Sequence, residues 1–399
     1  MNKDVHVIGV VASGHSLSHF LQLVMPPLFP LIREQLGISY STLGLLVMIF
    51  FTASALLQPV AGFLVDRVGG RDVLLGGVGM MVAGMLIASL ALGTPLLALG
   101  VLIMGIGNSV FHPADFSILN GRVSPARLGY AFSAHGVAGS LGFAIAPLFS
   151  AGVAAAYGWH GALLAAAGVG LMVLVVMLAN AHELHVNQPP KKPAAARDVR
   201  VLLSPPVLLC FLFFLIWGGA YAGLSNFAIA AMQLQFGVGM TLAASAITAY
   251  MVGNAAGMVA GGYAATRFLR HDVVACVGLS IAGLIVLAIA TGAPPPGALP
   301  LALGLAGLAA GVTYPSRDLI VRAATPPGAA GRVYGFVYSG LDLGVVATPI
   351  FYGMLIDHGM PQAVFYAIFG FTAAAIFTVY SAYLMPRRSS MRSSAGQSL

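Results

Sequence analysis

Gln35-Leu36-Gly37-Ile38 returns as Gln235-Phe236-Gly237-Val238, an offset of 200 residues. At the same offset Gly62 meets Gly262 and Arg67 meets Arg267. Later in each copy His112-Pro113 meets Tyr314-Pro315 at an offset of 202, and Gly129, Gly142 and Pro147 then meet Gly331, Gly344 and Pro349 at that offset. Chance matches of a common residue do not stay in order. Matches that keep their order, with one drift of two residues, mark a parallel duplication.

Each copy holds six apolar runs. They lie near 5–32, 43–65, 73–92, 96–119, 129–155 and 161–179, then near 206–231, 240–265, 273–291, 299–321, 331–355 and 361–384. Only 7% of the 399 residues are charged, whereas 59% are hydrophobic. A soluble protein of this size carries roughly 25% charged residues, so lipid is the solvent for much of this surface. Backbone groups in lipid pair within a helix or within a closed barrel. Continuous runs of about 20 apolar residues select helices. The expectation is an all-α membrane protein of twelve transmembrane helices in two pseudo-symmetric six-helix bundles: residues 1–179, a linker at 180–204, residues 205–385, and a disordered tail at 386–399. The 50 glycines suit helices that approach one another closely in a bilayer. Cys210 and Cys276 both sit in apolar runs and are too few for a disulfide framework or a metal cage. No cofactor is expected, and the partners expected are a small-molecule substrate, protons and the lipid bilayer, with the chain a monomer.

The cations set the orientation. With the N-terminus cytoplasmic, 16 of the 18 Lys and Arg fall on the cytoplasmic side; Arg33 lies outside and Arg317 within a span. This positive-inside bias predicts an inner-membrane protein with both termini cytoplasmic. It also accounts for the net charge of +7 without nucleic acid.

The loop after the second run reads Gly62-Phe63-Leu64-Val65-Asp66-Arg67-Val68-Gly69-Gly70-Arg71. It resembles the signature between the second and third helices of the major facilitator superfamily, with Gly70 where a second basic residue is usual. Ser16-Leu17-Ser18-His19, Leu57-Gln58-Pro59-Val60-Ala61-Gly62 and Ser109-Val110-Phe111-His112-Pro113 are similar to stretches of the fosmidomycin-resistance type of transporter, although an acid usually follows the His-Pro directly and here Ala114 does. The resemblance implies efflux of small molecules against inward proton flow. It also implies a cytoplasmic gate at Asp66, Arg67 and Arg71, to which Arg122 is added; topological anchoring by positive charge is the alternative.

Ionisable residues inside a span cost about 2.5–3.5 kcal/mol each by insertion measurements and are candidates for function. Here they are His15, His19, His112, Asp115, Arg317 and Asp342, with Asp318 and His135 as further possibilities. Asp115 and Arg317 differ by the repeat offset of 202 and are expected to pair across a central cavity. The competing expectation puts Asp115 in the gate cluster with Asp66 and Arg71, since Arg122 is seven residues away. Asp342 is an alternative partner for Arg317, while Asp318 is expected to point about 100° away on the helix. His15 and His19 share one face of the first helix, which Gln22 extends. That face serves as a proton relay, a polar substrate wall or a site of helix–helix hydrogen bonds; paired histidines also bind zinc, but with no Glu between them no metal is expected. His112 and Asp115 share a face beside Pro113, whose missing N–H makes either a hinge or a packing kink. Proton coupling is assigned to Asp115, His112 and His19, and substrate contact to Arg317, His15, His19, Gln22, Tyr314 and Asp342. Clustered catalytic motifs of a membrane enzyme are missing, which leaves a carrier: a proton-coupled exporter of an anionic or amphiphilic compound, or a proton-coupled importer of an organic acid.

Overall fold

The computed structural model describes residues 3–186, 199–268, 270–325 and 330–384. Among them every regular element is helical. Eleven helices are long and apolar enough to cross a membrane, and one of these, Tyr130–Ala179, runs 50 residues. At the helical rise that is about 75 Å, more than twice the thickness of a bilayer's hydrocarbon core. The chain reverses within it at Gly158, where φ 67° and ψ −178° form a combination that only glycine adopts freely. Twelve crossings result: α1 (Lys3–Leu36), α2 (Tyr40–Val68), α3 (Gly70–Ser89), α4 (Thr94–Arg122), α5 (128–157), α6 (159–179), α7 (Pro205–Phe236), α8 (Met240–Arg267), α9 (His271–Ala290), α10 (Pro296–Ala324), α11 (Val333–Asp357) and α12 (Pro361–Leu384). The predicted twelve-helix fold is therefore the observed one. Most of the expected linker (187–198) and the whole expected tail (386–399) lie outside the described residues.

The duplication is written into the backbone. Gly37 and Gly237 both close their helices in the left-handed conformation, at φ 64° in each, with the N–H of Gly37 bonded to the Arg33 carbonyl and that of Gly237 to the Gln233 carbonyl. Both first helices of a half are irregular at the same depth. A 3₁₀ turn at Pro26–Leu28 interrupts α1, and a π turn at Gly223–Phe227 interrupts α7. Within the second half, glycines let α8 and α10 touch backbone to backbone. A Cβ added at Gly253, Gly257 or Gly261 would strike the α10 main chain at Gly304, Leu308 or Val312, and one at Gly307 or Gly311 would strike α8.

With an even number of crossings per half, the linker and both chain ends share one end of the bundle, here the linker end. The halves are joined toward the other, far end. There α2 packs on α11 so closely that a Cβ at Gly44 would meet the Pro349 carbonyl. The Asp357 carboxylate, at the last turn of α11, accepts hydrogen bonds from the backbone N–H groups of Tyr40 and Ser41, each at 2.8 Å. These are two of the unpaired donors that open α2, so a carboxylate from one half caps a helix of the other and meets the positive end of its dipole. Deeper in, the Thr248 hydroxyl of α8 donates to the Ala144 carbonyl of α5 at 2.8 Å, and Phe29 of α1 meets Phe227 of α7 at 5.7 Å between ring centres.

Removing a cap of this kind costs about 1 kcal/mol, a roughly fivefold change in a two-state population. Asp357→Ala is expected to shift the protein about that much toward opening at the far end. Alkylation of a cysteine placed at Ser41, in membranes, checks this: the rate rises in the Ala variant, and an unchanged rate removes the cap from the closure.

Candidate functional site

Two charged groups are buried mid-bundle in equivalent places, and each is enclosed by its own half. Pro113 has no N–H for the Ser109 carbonyl, and α4 breaks there: one segment ends at Asn108 and the next begins at Phe111. The restarted segment carries Asp115 inward, where it is fully buried. His135 Nε2 of α5 lies 3.0 Å from Asp115 Oδ2, and His15 Nδ1 of α1 lies 3.3 Å from the same oxygen. The imidazoles of His15 and His135 stack at 3.5 Å. His19 lies 4.5 Å from His15 between ring centres, and His112 lies 5.6 Å from it. Two imidazoles thus reach one carboxylate, and two more pack against His15. Only His112 is exposed, its ring laid against Phe116 at 5.9 Å. Within this enclosure Asp115 Oδ1, His15 Nδ1 and His19 Nδ1 are buried without a hydrogen bond.

Gly139 of α5 makes the room. A Cβ there would come within 3.1 Å of His15 Nε2 and 3.3 Å of His19 Nε2. The face predicted on α1 therefore exists, but α5 supplies the closest partner of Asp115. His135 was the weakest of the sequence candidates, because nothing in its own helix marks it; the contact is tertiary.

In the second half Arg317 of α10 is 9% exposed. Its guanidinium carbon lies 4.5 Å from the ring centre of Phe214 on α7, 4.4 Å from that of Tyr314 one turn back on α10, and 5.9 Å from that of Tyr338 on α11. Its Nε donates to Asp318 Oδ1 at 3.2 Å. Asp318 is held in turn by α11, with the Tyr338 hydroxyl donating to Oδ1 at 2.8 Å and the Tyr334 hydroxyl to its carbonyl at 3.2 Å. The two centres correspond through the repeat: α1, α4 and α5 build one, and α7, α10 and α11 build the other.

The geometry corrects several expected pairings. Asp115 is bonded neither to Arg317 nor to the charges at the linker end, since histidines of its own half take it. Arg317 finds its carboxylate in Asp318, because the long side chain folds back along the helix and overcomes the 100° between neighbours. No hydrogen bond or ion pair among the described residues joins Asp342 to Arg317; Asp342 is half-buried on α11. At the linker end, Arg71 pairs with Asp72 at 2.7 Å. Arg122 donates from Nε to the Glu183 carbonyl at 2.9 Å and pairs with its carboxylate at 3.1 Å. These pairs stay within the first half. Arg67 is exposed, and the side chain of Asp66 lies outside the described residues.

Gln22 opens a polar chain not foreseen from sequence. Its Nε2 donates to Asn108 Oδ1 at 3.0 Å, and Asn108 Nδ2 donates to Ser54 Oγ at 2.9 Å, linking α1, α4 and α2. Gln22 also lines a small cavity together with Phe50, Phe51, Met104 and, from the other half, Asn226. A second small cavity lies among Trp217, Tyr221 and Tyr250, and a third has Arg317, Cys210 and Phe214 in its wall. Amide and aromatic groups that share apolar walls bind small organic molecules. Their sequence signal is a polar residue inside an apolar run, which Asn108 and Asn226 both give.

A twelve-helix membrane bundle of two equivalent halves, with cavities and a buried charged centre in each, is the build of a carrier. The sequence model of the Major Facilitator Superfamily matches residues 11–243 and again 222–398, and the chain belongs to that superfamily: a multi-pass membrane transporter of small molecules and not an enzyme. It is 24% identical over 372 residues to the fosmidomycin resistance protein of Escherichia coli (strain K12), an alignment that covers 90% of this chain and 88% of that one. It is 26% identical over 351 residues to the probable nitrate/nitrite transporter NarK2 of Mycobacterium tuberculosis, covering 83% and 84%. A solved bacterial homologue of the human lysosomal transporter Spinster, in an inward-facing and occupied conformation, superposes with a TM-score of 0.76 over 96% of both chains at 16% identity.

Gly139→Ala and Gly136→Ala form a matched pair three residues apart on α5. An added Cβ meets nothing within 4 Å at Gly136 but crowds both imidazoles at Gly139. G136A is expected to leave thermal stability unchanged or raise it slightly, by up to about 1 kcal/mol from the better helix former. G139A is expected to lower it, because packed interiors resist even one added methyl group. Detergent-solubilised melting temperatures check the order.

Proposed function

We propose that this protein is a proton-coupled exporter of a small anionic or amphiphilic compound, working by alternating access in the bacterial inner membrane with both termini cytoplasmic. One observation carries the reading: two buried centres of opposite character occupy equivalent places in the two halves. One is a carboxylate among four imidazoles, which suits proton carriage. The other is a guanidinium flanked by ring faces, which suits an anion with an apolar body. The positive-inside distribution of Lys and Arg supports the orientation. The fosmidomycin-resistance relative supports export of a small compound, and the nitrate/nitrite relative supports an anionic one.

In this reading the linker end is cytoplasmic and the far end periplasmic. With the far end closed, His112, the exposed member of the cluster, would pass protons to and from Asp115. His135 and His15 hold Asp115 Oδ2 directly, so a proton added there changes the charge of a wholly buried group. A buried charge that has lost its compensation is costly, whereas a neutral one is not. Protonation state therefore decides which packing of the halves is favoured. His19 touches Phe143 at 4.1 Å between ring centres, and Phe143 meets Tyr221 of the other half at 6.3 Å, a contact path from the carboxylate side to the substrate side. At Arg317, Nε is engaged by Asp318 and the guanidinium also meets Tyr338; a carboxylate or phosphoryl group would be taken by its other donors. Tyr314 flanks it, and Asp342 stands nearby on α11, one turn beyond Tyr338. Gln22 contributes hydrogen bonding at the cavity it shares with Asn226. Asp66, Arg67, Arg71 and Arg122 would lock the cytoplasmic end in the opposite state.

Inside-out vesicles with an acidified lumen test direction and coupling together. The wild-type protein is expected to accumulate substrate and discharge the gradient. Asp115→Asn is expected to lose gradient-driven uptake, by at least about 100-fold, while keeping counterflow exchange. Accumulation only when the gradient is reversed replaces export by import, and normal driven uptake in the variant removes Asp115 from coupling. Arg317→Lys keeps the charge but loses the planar fork and its stacking. Its apparent affinity for an anionic substrate is expected to fall roughly tenfold, about 1.4 kcal/mol, and an unchanged affinity removes Arg317 from anion recognition.

A further inference from the structure

The donor atoms around Asp115 do more than accept a proton. One ring nitrogen each of His15 and His135 and one Asp115 oxygen all lie within 4.8 Å of one another, and all three residues are buried. Zinc holds nitrogen and oxygen ligands at about 2.0–2.2 Å in a tetrahedron, which places neighbouring ligand atoms about 3.3–3.5 Å apart. The observed separations are 3.0 Å from His135 Nε2 to Asp115 Oδ2 and 3.3 Å from His15 Nδ1 to the same atom. These two separations are close to that of a tetrahedral edge, and an ion enters with a rotation of the stacked His15 and His135 rings.

Hydrogen bonding alone leaves this cluster unfinished. Asp115 Oδ1, His15 Nδ1 and His19 Nδ1 are buried with no hydrogen-bond partner, and an unpaired polar atom in an apolar interior is costly. The groups that face the carboxylate are His15 and His19 from α1, His112 from its own helix and His135 from α5; no Lys or Arg is bonded to it among the described residues. Imidazoles that share one acceptor leave lone pairs over, and a cation uses lone pairs where another donor cannot. Two imidazoles and one carboxylate also make the ligand type that zinc accepts with a position left open. His112, exposed and 5.6 Å from His15, marks the way in. On the sequence no second histidine box accompanies His15 and His19; the fold brings in the missing ligand from α5.

We infer that His15, Asp115 and His135 form a binding site for a divalent transition-metal ion, occupied in place of the coupling proton and blocking transport while it is held. The binding stands on the ligand geometry, and the block rests on the proton-coupling reading given above.

Zn²⁺ itself is the probe. The full chain, purified without a histidine tag, is titrated with Zn²⁺ by calorimetry in detergent, with Mg²⁺ as the comparison ion. Binding of one Zn²⁺ per chain is expected, with no heat from Mg²⁺. His135→Gln keeps a side chain able to hydrogen-bond Asp115 but removes the ligand, and is expected to weaken Zn²⁺ binding at least about tenfold, as is Asp115→Asn. His182→Ala, at an exposed histidine of the linker end, is expected to change nothing. Size-exclusion profiles certify folding of each variant. In vesicles, Zn²⁺ is expected to stop gradient-driven uptake, and a chelator to restore it. Absence of Zn²⁺ binding to the wild type, or undiminished binding in folded His135→Gln and Asp115→Asn, overturns the site. Zn²⁺ bound in the predicted way without slowing uptake overturns the block. Uptake that never depends on a proton gradient counts against the coupling reading and leaves the binding result standing.

Discussion

A carboxylate fully removed from water in the interior of a membrane bundle has to find its compensation among its neighbours. Everything around Asp115 follows from that demand. The break in α4 at Pro113 aims it inward, Gly139 clears space on α5, and α1 and α5 bring imidazoles to one of its oxygens. A lysine or arginine in place of the histidines would hold the carboxylate in a single fixed ion pair. Histidine differs because its imidazole can be neutral, so it can meet the carboxylate without a fixed opposite charge. The second half solves the complementary problem. Arg317 is buried too, but it keeps its charge at any physiological pH, and the fold meets that charge with ring faces and one neighbouring carboxylate. One centre is a carboxylate among imidazoles and the other a permanent cation among ring faces.

Duplication explains why both centres lie where they do. The first, fourth and fifth helices of each half supply the enclosing groups, and the backbone irregularities of α1 and α7 fall at matching depth. Later divergence replaced the chemistry and left the position: Asp115 stands opposite Arg317 in the repeat, and Tyr338 stands one residue past the counterpart of His135. Even the linker-end pairs keep the pattern. Asp72 is held by Arg71, and Asp272, 200 residues on, is held by Arg270 at 2.9 Å.

Much of the fold was legible because it follows from local rules. Apolar length locates the spans, ordered repeats locate the halves, and Gly37 and Gly237 mark helix ends that only a left-handed residue closes. Gly158 was less visible. The gap between the runs 129–155 and 161–179 brackets it, but which residue there turns the chain is settled by its backbone conformation. The site was legible as a set of residue types but not as a set of contacts. Helical spacing places His15 beside His19 because both belong to one element. No spacing rule places His135 against Asp115, since that contact requires knowing which faces of α4 and α5 meet. The expected Asp115–Arg317 pair failed for the same reason: equivalent position in a repeat fixes depth and helix, while the partner is chosen by the packing of each half on itself.

The far-end closure adds the last link. Asp357 spends its carboxylate on two amide donors of α2, so the halves are fastened there by a bond that rigid rocking can break and remake without unfolding a helix. At the linker end, Arg71 and Arg122 are satisfied inside the first half and need nothing from the second to keep the present arrangement. The cap is one of several links between the halves, and in the proposed mechanism a change of charge at one buried centre biases which packing of the halves is favoured. Burying an uncompensated charge costs several kcal/mol, against about 1 kcal/mol for a helix cap. In the proposed mechanism the strong term lies at the centre of the bundle and the Asp357 cap is one weak link at its end, and an occupant of the Asp115 cluster, whether proton or metal ion, would act on the equilibrium of the whole bundle.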